Sequence, residues 1–203
     1  MSIVLQGSTS GSITLQEPAV AGTTVLDLPA TSGTVLTSAS SVTRSQLPVG
    51  SVLQVVQTIK TDTFSSTASS FTDVTGLTVS ITPTSSSSKI LVILSIAGMN
   101  GSTTGSTARL ARNGTGIGVA TSASSRNAGG TAEMYHARSD TFLTYTSIVL
   151  DSPATTSSIT YSGQIIAGSG GSYTTYINRS STDSDSNAYC RGASSITVME
   201  IAA

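Results

Sequence analysis

Apolar positions in this 203-residue chain recur at every second residue in short runs, the period of a β-strand that buries one face. LTVSI, Leu77 to Ile81, alternates in this way. Lys89 to Ala97 (KILVILSIA) is apolar almost throughout, which predicts a central strand. Val52 to Ile59 (VLQVVQTI) is rich in β-branched residues and reads as another strand. Thr107 to Arg112 and Ile117 to Thr121 flank Asn113-Gly114, a pair that tolerates the positive φ of a tight hairpin turn. Further β runs follow at Thr131 to Ala137, Phe142 to Leu150, Ser158 to Ala167, Tyr173 to Asn178 and Ser194 to Ile201, with Ile196, Val198 and Ile201 as candidates for burial in the last. Pro153 ends a strand because it has no N–H to donate, and Asp151 before it is expected to accept backbone hydrogen bonds in an Asx-turn. No stretch carries a helical period of useful length. Roughly eight or nine strands spaced by Gly, Ser, Asn and Asp turns predict an all-β chain whose residues 49–203 form an antiparallel, jelly-roll-like β-sandwich.

Residues 1–48 follow a different rule. Gly11, Gly22 and Gly33 open the segments GSITLQEPAVA, GTTVLDLPATS and GTVLTSASSVT, in which Pro18 and Pro29 share one column, Ile13, Thr24 and Val35 another, and Leu15 and Leu26 a third. Eleven residues are too few for a helical repeat unit. Each unit is a β-prone run closed by a turn, with almost no apolar surface of its own to bury, so it must stack on its neighbours or on other chains. These β repeats are expected to form a fibre shaft or an extended arm. Arg44 to Gly50 (RSQLPVG) reads as a hinge before the sandwich, because Pro48 and Gly50 interrupt regular structure.

Composition and charge narrow the function classes. About a third of the residues are Ser or Thr, only 9% are charged, and the net charge is −1. The clustered basic face of a nucleic-acid binder is not expected. The apolar run from Ile90 to Ala97 is far shorter than the ~20 residues of a membrane-spanning helix, so no membrane insertion is expected. MSIVLQGSTSG has neither a basic start nor an apolar stretch, so no secretory leader is expected. The single cysteine, Cys190, has no partner for an internal disulfide or a metal site.

Catalytic chemistry finds little to work with. A Ser-His-Asp arrangement would have to use His136, the lone histidine, with Ser139 and Asp140 from the same run, although triad members normally converge from separate elements. The aspartates, Asp62, Asp73 and Asp151 among them, sit in turn contexts, so a glycosidase pair is not expected either. Asp183, Asp185 and Asn187 match the first three ligand positions of a calcium loop, but Ala188 stands where glycine is needed and Ser194 where the bidentate acid is needed. No metal, cofactor or enzymatic activity is expected. Tyr173, Tyr176 and Tyr189 lie near Arg179 and Arg191, and aromatic faces beside such donors are what a sugar-binding surface uses. The competing expectation is that these rings cover the sheet or pack between subunits.

The N-terminal GSITLQEPAVAGTTVLDLPATSGTVLTSAS resembles the shaft repeats of bacteriophage tail fibres. LTVSITPTSSSSKILVILSIAG, ARLARNGT, LDSPATTSSITYSGQ and SSITVMEI resemble the compact β modules that cap fibre-like phage proteins, notably those of marine and cyanobacterial hosts. The resemblance implies a virion surface protein and a homotrimer. Three copies around a threefold axis would bury Leu15, Leu26, Leu28 and Leu36, with Ile13 in the same stripe, and the N-terminal segment would anchor on another tail or capsid protein. A fibre whose sandwich contacts host-surface polysaccharide, a head fibre or decoration that reinforces the capsid, and a glycan-degrading tailspike are the three functions it implies.

Overall fold

The computed structural model describes residues 3–6, 9–15, 22, 30, 41–100, 105–121, 123–130 and 143–203. The chain divides into two units, Met1–Val42 and Thr43–Ala203. In the first, β1 (Ile3–Gln6) pairs antiparallel with β2 (Ser12–Leu15), Ile3 opposite Leu15 and Gln6 opposite Ser12. Ile13 and Leu15 thus belong to a strand. Gly11 and Gly22 have φ of 80° and 57°, a region that side chains with a Cβ avoid, which is a physical reason for glycine in that column of the repeat. Leu26, Leu28, Leu36, the run Thr131 to Ala137 and His136 within it lie outside the described residues.

The second unit is the expected antiparallel sandwich. Its strands are β3 (Val52–Lys60), β4 (Phe64–Ser66), β5 (Thr72–Ile81), β6 (Lys89–Asn100), β7 (Thr107–Arg112), β8 (Thr115–Ile117), β9 (Leu143–Asp151), β10 (Ile159–Ile166), β11 (Thr175–Ile177) and β12 (Ser194–Ile201). One sheet runs β5-β10-β7-β8. In the other, β6 is central, with β9 along one side and β12 and β11 end to end along the other, and β3 and β4 complete it beyond them. Neighbours such as β3 and β12 come from opposite ends of the unit, the long-range pairing of a jelly roll. Asn113 and Gly114, at φ of 47° and 80°, make the two-residue turn between β7 and β8 that their sequence predicts.

Strict alternation along β12 decides which residues enter the core. Ser194, Ile196, Val198 and Glu200 point inward and are buried, whereas Ile201 turns to the outer face and is half-buried, contrary to the burial expected of it. Leu94, Ile96 and Ile196 from the larger sheet meet Leu77, Leu110 and Ile165 from the smaller one. Gly163 lets the sheets approach closely, because a Cβ there would lie 2.9 Å from Leu77 Cδ2 and 3.1 Å from Leu94 Cδ1. Val74 and Leu77 are both buried although they lie three positions apart, where alternation would put them on opposite faces; the β5/β10 ladder slips between Ser162 and Gln164 to allow it, with Gly76 at φ 81°.

Residues 44–50, expected as a hinge, are bonded into the sandwich. Arg44–Gln46 form a single 3-10 turn, and Gly50 and Ser51 pair with Ala202 through Gly50 N–H to Ala202 O (2.8 Å) and Ala202 N–H to Ser51 O (2.9 Å). Arg44 Nη2 lies 3.2 Å from Glu200 Oε1 and also donates to Ser88 Oγ. The fully buried Glu200 carboxylate further accepts Gln54 Nε2 (2.6 Å), Thr84 N (2.8 Å), Thr84 Oγ1 (2.7 Å) and Ser88 Oγ (2.7 Å). Burial alone would raise its pKa, but the hydrogen bonds from Ser88, Thr84 and Gln54 outweigh that and hold it at about 2.

Candidate functional site

Opposite this clamp, about 24 Å along β12, the sandwich ends in the loop between β11 and β12. Asn178 starts that loop at φ 61°, a conformation asparagine tolerates better than most residues. Its buried side chain donates to Lys60 O and Asp62 O, both at 2.9 Å, and accepts Ser194 Oγ at 2.6 Å, so the loop is tied to β3 and β12 at its root. Arg179 and Arg191 face each other across the loop as an antiparallel bridge, and Gly192 N–H donates to Asn178 O at 3.0 Å. Beyond the bridge, the turn Ser184–Tyr189 closes through Ser186 N–H to Ser184 O (2.9 Å) and Tyr189 N–H to Ser186 O (3.0 Å).

An open cleft of about 340 Å³ lies in this loop, lined by Asp183, Ser184, Asp185, Ser186, Tyr189 and Arg191. Arg191 Nη2 donates to Asp183 Oδ2 at 2.7 Å, and Arg179 Nη1 lies 3.6 Å from the same oxygen. The Arg179 guanidinium also stacks over the Tyr176 ring, 4.4 Å from its centroid. Arginines, carboxylates and hydroxyls beside one tyrosine make a polar surface suited to polyhydroxylated ligands.

Of the residues read as a sugar-binding group, four are brought together. Tyr189 and Arg191 line the cleft, Arg179 joins them through Asp183, and Tyr176 supports Arg179 from β11. Tyr173 is 41% exposed before β11 and does not line the cleft. Asp183 to Ser186, two of them matched in sequence only to a partial calcium loop, line the cleft as well. The available signal was an acidic, serine-rich stretch bracketed by two arginines. Asp183, the first position of the partial calcium pattern, is engaged by both guanidiniums. Nearby, Lys60 is buried and donates to the exposed Asp62 at 2.7 Å, a hydrogen bond that lowers the Asp62 pKa. Cys190 is an exposed free thiol.

Two other aspartates read as turn residues prove to be strand residues with partners. Asp151 accepts both Arg112 Nη1, at 2.9 Å, and Tyr161 O–H, at 2.8 Å, so a side-chain pair replaces the expected Asx-turn. Burial and the bond to Asp151 push the Tyr161 phenol upward. Asp73 accepts Ser162 Oγ at 2.7 Å and Gln164 Nε2 at 3.0 Å on the outer face of the smaller sheet, where Arg109 donates to Gln164 and stacks on Phe71. No helix among the described residues is long and apolar enough to cross a membrane. Comparison with protein-family models and with curated proteins found no match.

Proposed function

We propose that this chain is a non-enzymatic structural protein of a phage virion, a homotrimeric surface fibre anchored by its N-terminal repeats and presenting the sandwich outward to host-surface polysaccharide. The virion assignment draws on the sequence resemblance of repeats and sandwich together. The observation that carries the contact is the placement of the cleft: Tyr189, Arg191 and the serine turn lie at the end of the sandwich opposite Arg44, where the chain joins it. A fibre head needs that polarity, with attachment at one end and a ligand surface at the other. Carbohydrate recognition pairs an aromatic face with hydrogen-bonding groups for ring hydroxyls, and the cleft offers both.

One observation favours a second reading, a head fibre or decoration that reinforces the capsid. Both arginines of the loop are already paired with Asp183, which makes the loop self-contained. Binding of the full-length protein to bacterial cells and to purified surface polysaccharides separates the two. The fibre reading expects saturable binding that falls at least about tenfold in Arg191→Ala and Tyr189→Ala, the effect of losing roughly one good hydrogen bond or ring contact. No binding at high protein concentration would sink the adhesin and leave the decoration.

A further inference from the structure

The larger sheet exposes an apolar outer face in register. Val55, Met199, Leu91 and Leu150 stand side by side across β3, β12, β6 and β9. Two residues further along the strands, Ile93 pairs with Ile148, while Gln57 Nε2 donates to Thr197 Oγ1 at 2.8 Å and so is satisfied within the face. In the next row Ile59 stands beside Ser195, Ser95 and Thr146. Val55, Ile59, Ile148 and Leu150 are 55–64% exposed. These three rows hold no charged residue, and at the rim Lys89 donates to Ser152 at 2.7 Å. An apolar centre inside a polar rim is the anatomy of a protein interface.

We infer that this face is where sister copies of the chain pack against one another. Its charge-free surface makes the occupant a second copy: such faces, turned from each chain toward a common axis, meet without stranding a charge on any of them, and each contributes apolar area that the others need. Four strands at ~4.8 Å spacing and three rows at ~6.8 Å give roughly 400 Å² in projection. Side-chain relief carries that toward the ~800 Å² per partner of a standard interface, and the projected area alone is in the range of the largest, often functional, patches on a monomer surface. The inference assigns the sandwich its own contact within the oligomer, separate from the N-terminal leucines, and does not depend on the virion or polysaccharide assignment.

Sedimentation equilibrium of the full-length chain, wild type against Ile148→Lys, tests it. Ile148 is 64% exposed, so the substitution leaves the sandwich core untouched. The wild type is expected to be an oligomer, and a lysine in the middle row of the contact should raise the dissociation constant about a hundredfold or more. Should Ile148→Lys precipitate, Ile148→Thr retains the β-branch and should weaken association about tenfold. A wild type with the mass of one chain overturns the inference, whether the face is then covered by the chain's own N-terminal segment or is left for a foreign partner. An unchanged oligomer mass and affinity in the variants also overturns it and returns the contact to the repeats. Polysaccharide binding by the same proteins is a separate readout, so either result leaves that reading standing or falling by itself.

Discussion

The two ends of the sandwich both pair a carboxylate with arginine, yet they do opposite things with it. At the end where the chain joins, Glu200 is fully buried and accepts from Arg44, Gln54, Thr84 and Ser88, so both carboxylate oxygens have donors and water has no access. At the far end, Asp183 is 30% exposed and its main partner Arg191 is 59% exposed. A buried carboxylate whose donors were aimed at it during folding is a clamp, because removing either side strands a polar group in the core. An exposed pair is screened and exchangeable, so a ligand hydroxyl can replace one partner at small cost. The difference teaches that surroundings, rather than residue type, separate the joint from the surface offered to a ligand.

The largest effect expected from breaking this contrast is in Glu200→Gln. The amide N–H₂ would take the place of one carboxylate oxygen, facing either Gln54 Nε2 or the Thr84 and Ser88 donors, and the lost charge would leave Arg44 without its counter-ion, at a cost of about 3 kcal/mol in chemical denaturation of the full chain. A loss below about 1 kcal/mol would place Glu200 with Asp183 and remove the distinction. Acid sharpens the same point. Because the Glu200 carboxyl sits at about 2 in the folded protein, below its ordinary 4.5, the unfolded chain binds the proton more readily between those values. Its stabilisation is therefore complete above about pH 5 and is lost progressively as pH falls toward 2. Thermal melts across that range should fall steeply in the wild type and less in Glu200→Gln. The smallest effect is expected in Asp183→Asn, which should change stability by less than about 1 kcal/mol. Releasing Arg191 and Arg179 should nevertheless alter polysaccharide affinity; a large drop in melting temperature with unchanged binding would make the loop purely structural.

Much of the fold was legible in the residues, and much of the site was not. Ser194 to Ile201 and the Asn113-Gly114 turn emerge where alternation and turn chemistry place them, since both are local properties. β4 was missed because Phe64–Ser66 is three residues long and exists as a strand only by pairing with β11. That Tyr189 and Arg191 lie together in the cleft was legible from their proximity in sequence. That Asp183 would be held between Arg179 and Arg191 depends on the bridge that folds the loop back on itself, and hence on Asn178 anchoring it to β3.

The apolar pattern by itself determined that the sandwich is built of strands, through the almost wholly apolar run from Lys89 to Ala97 that β6 lies at the centre, and on regular strands such as β12 which side chains share a face. Register was decided only in three dimensions. Alternation says that Leu91, Leu150, Val55 and Met199 each lie opposite a buried neighbour, but only the pairing of strands distant in sequence sets them in one row. The same pairing brings Arg44 to Glu200 across 156 positions of chain. Side-chain period is a property of one strand, whereas adjacency between strands is set by the packing of the whole core.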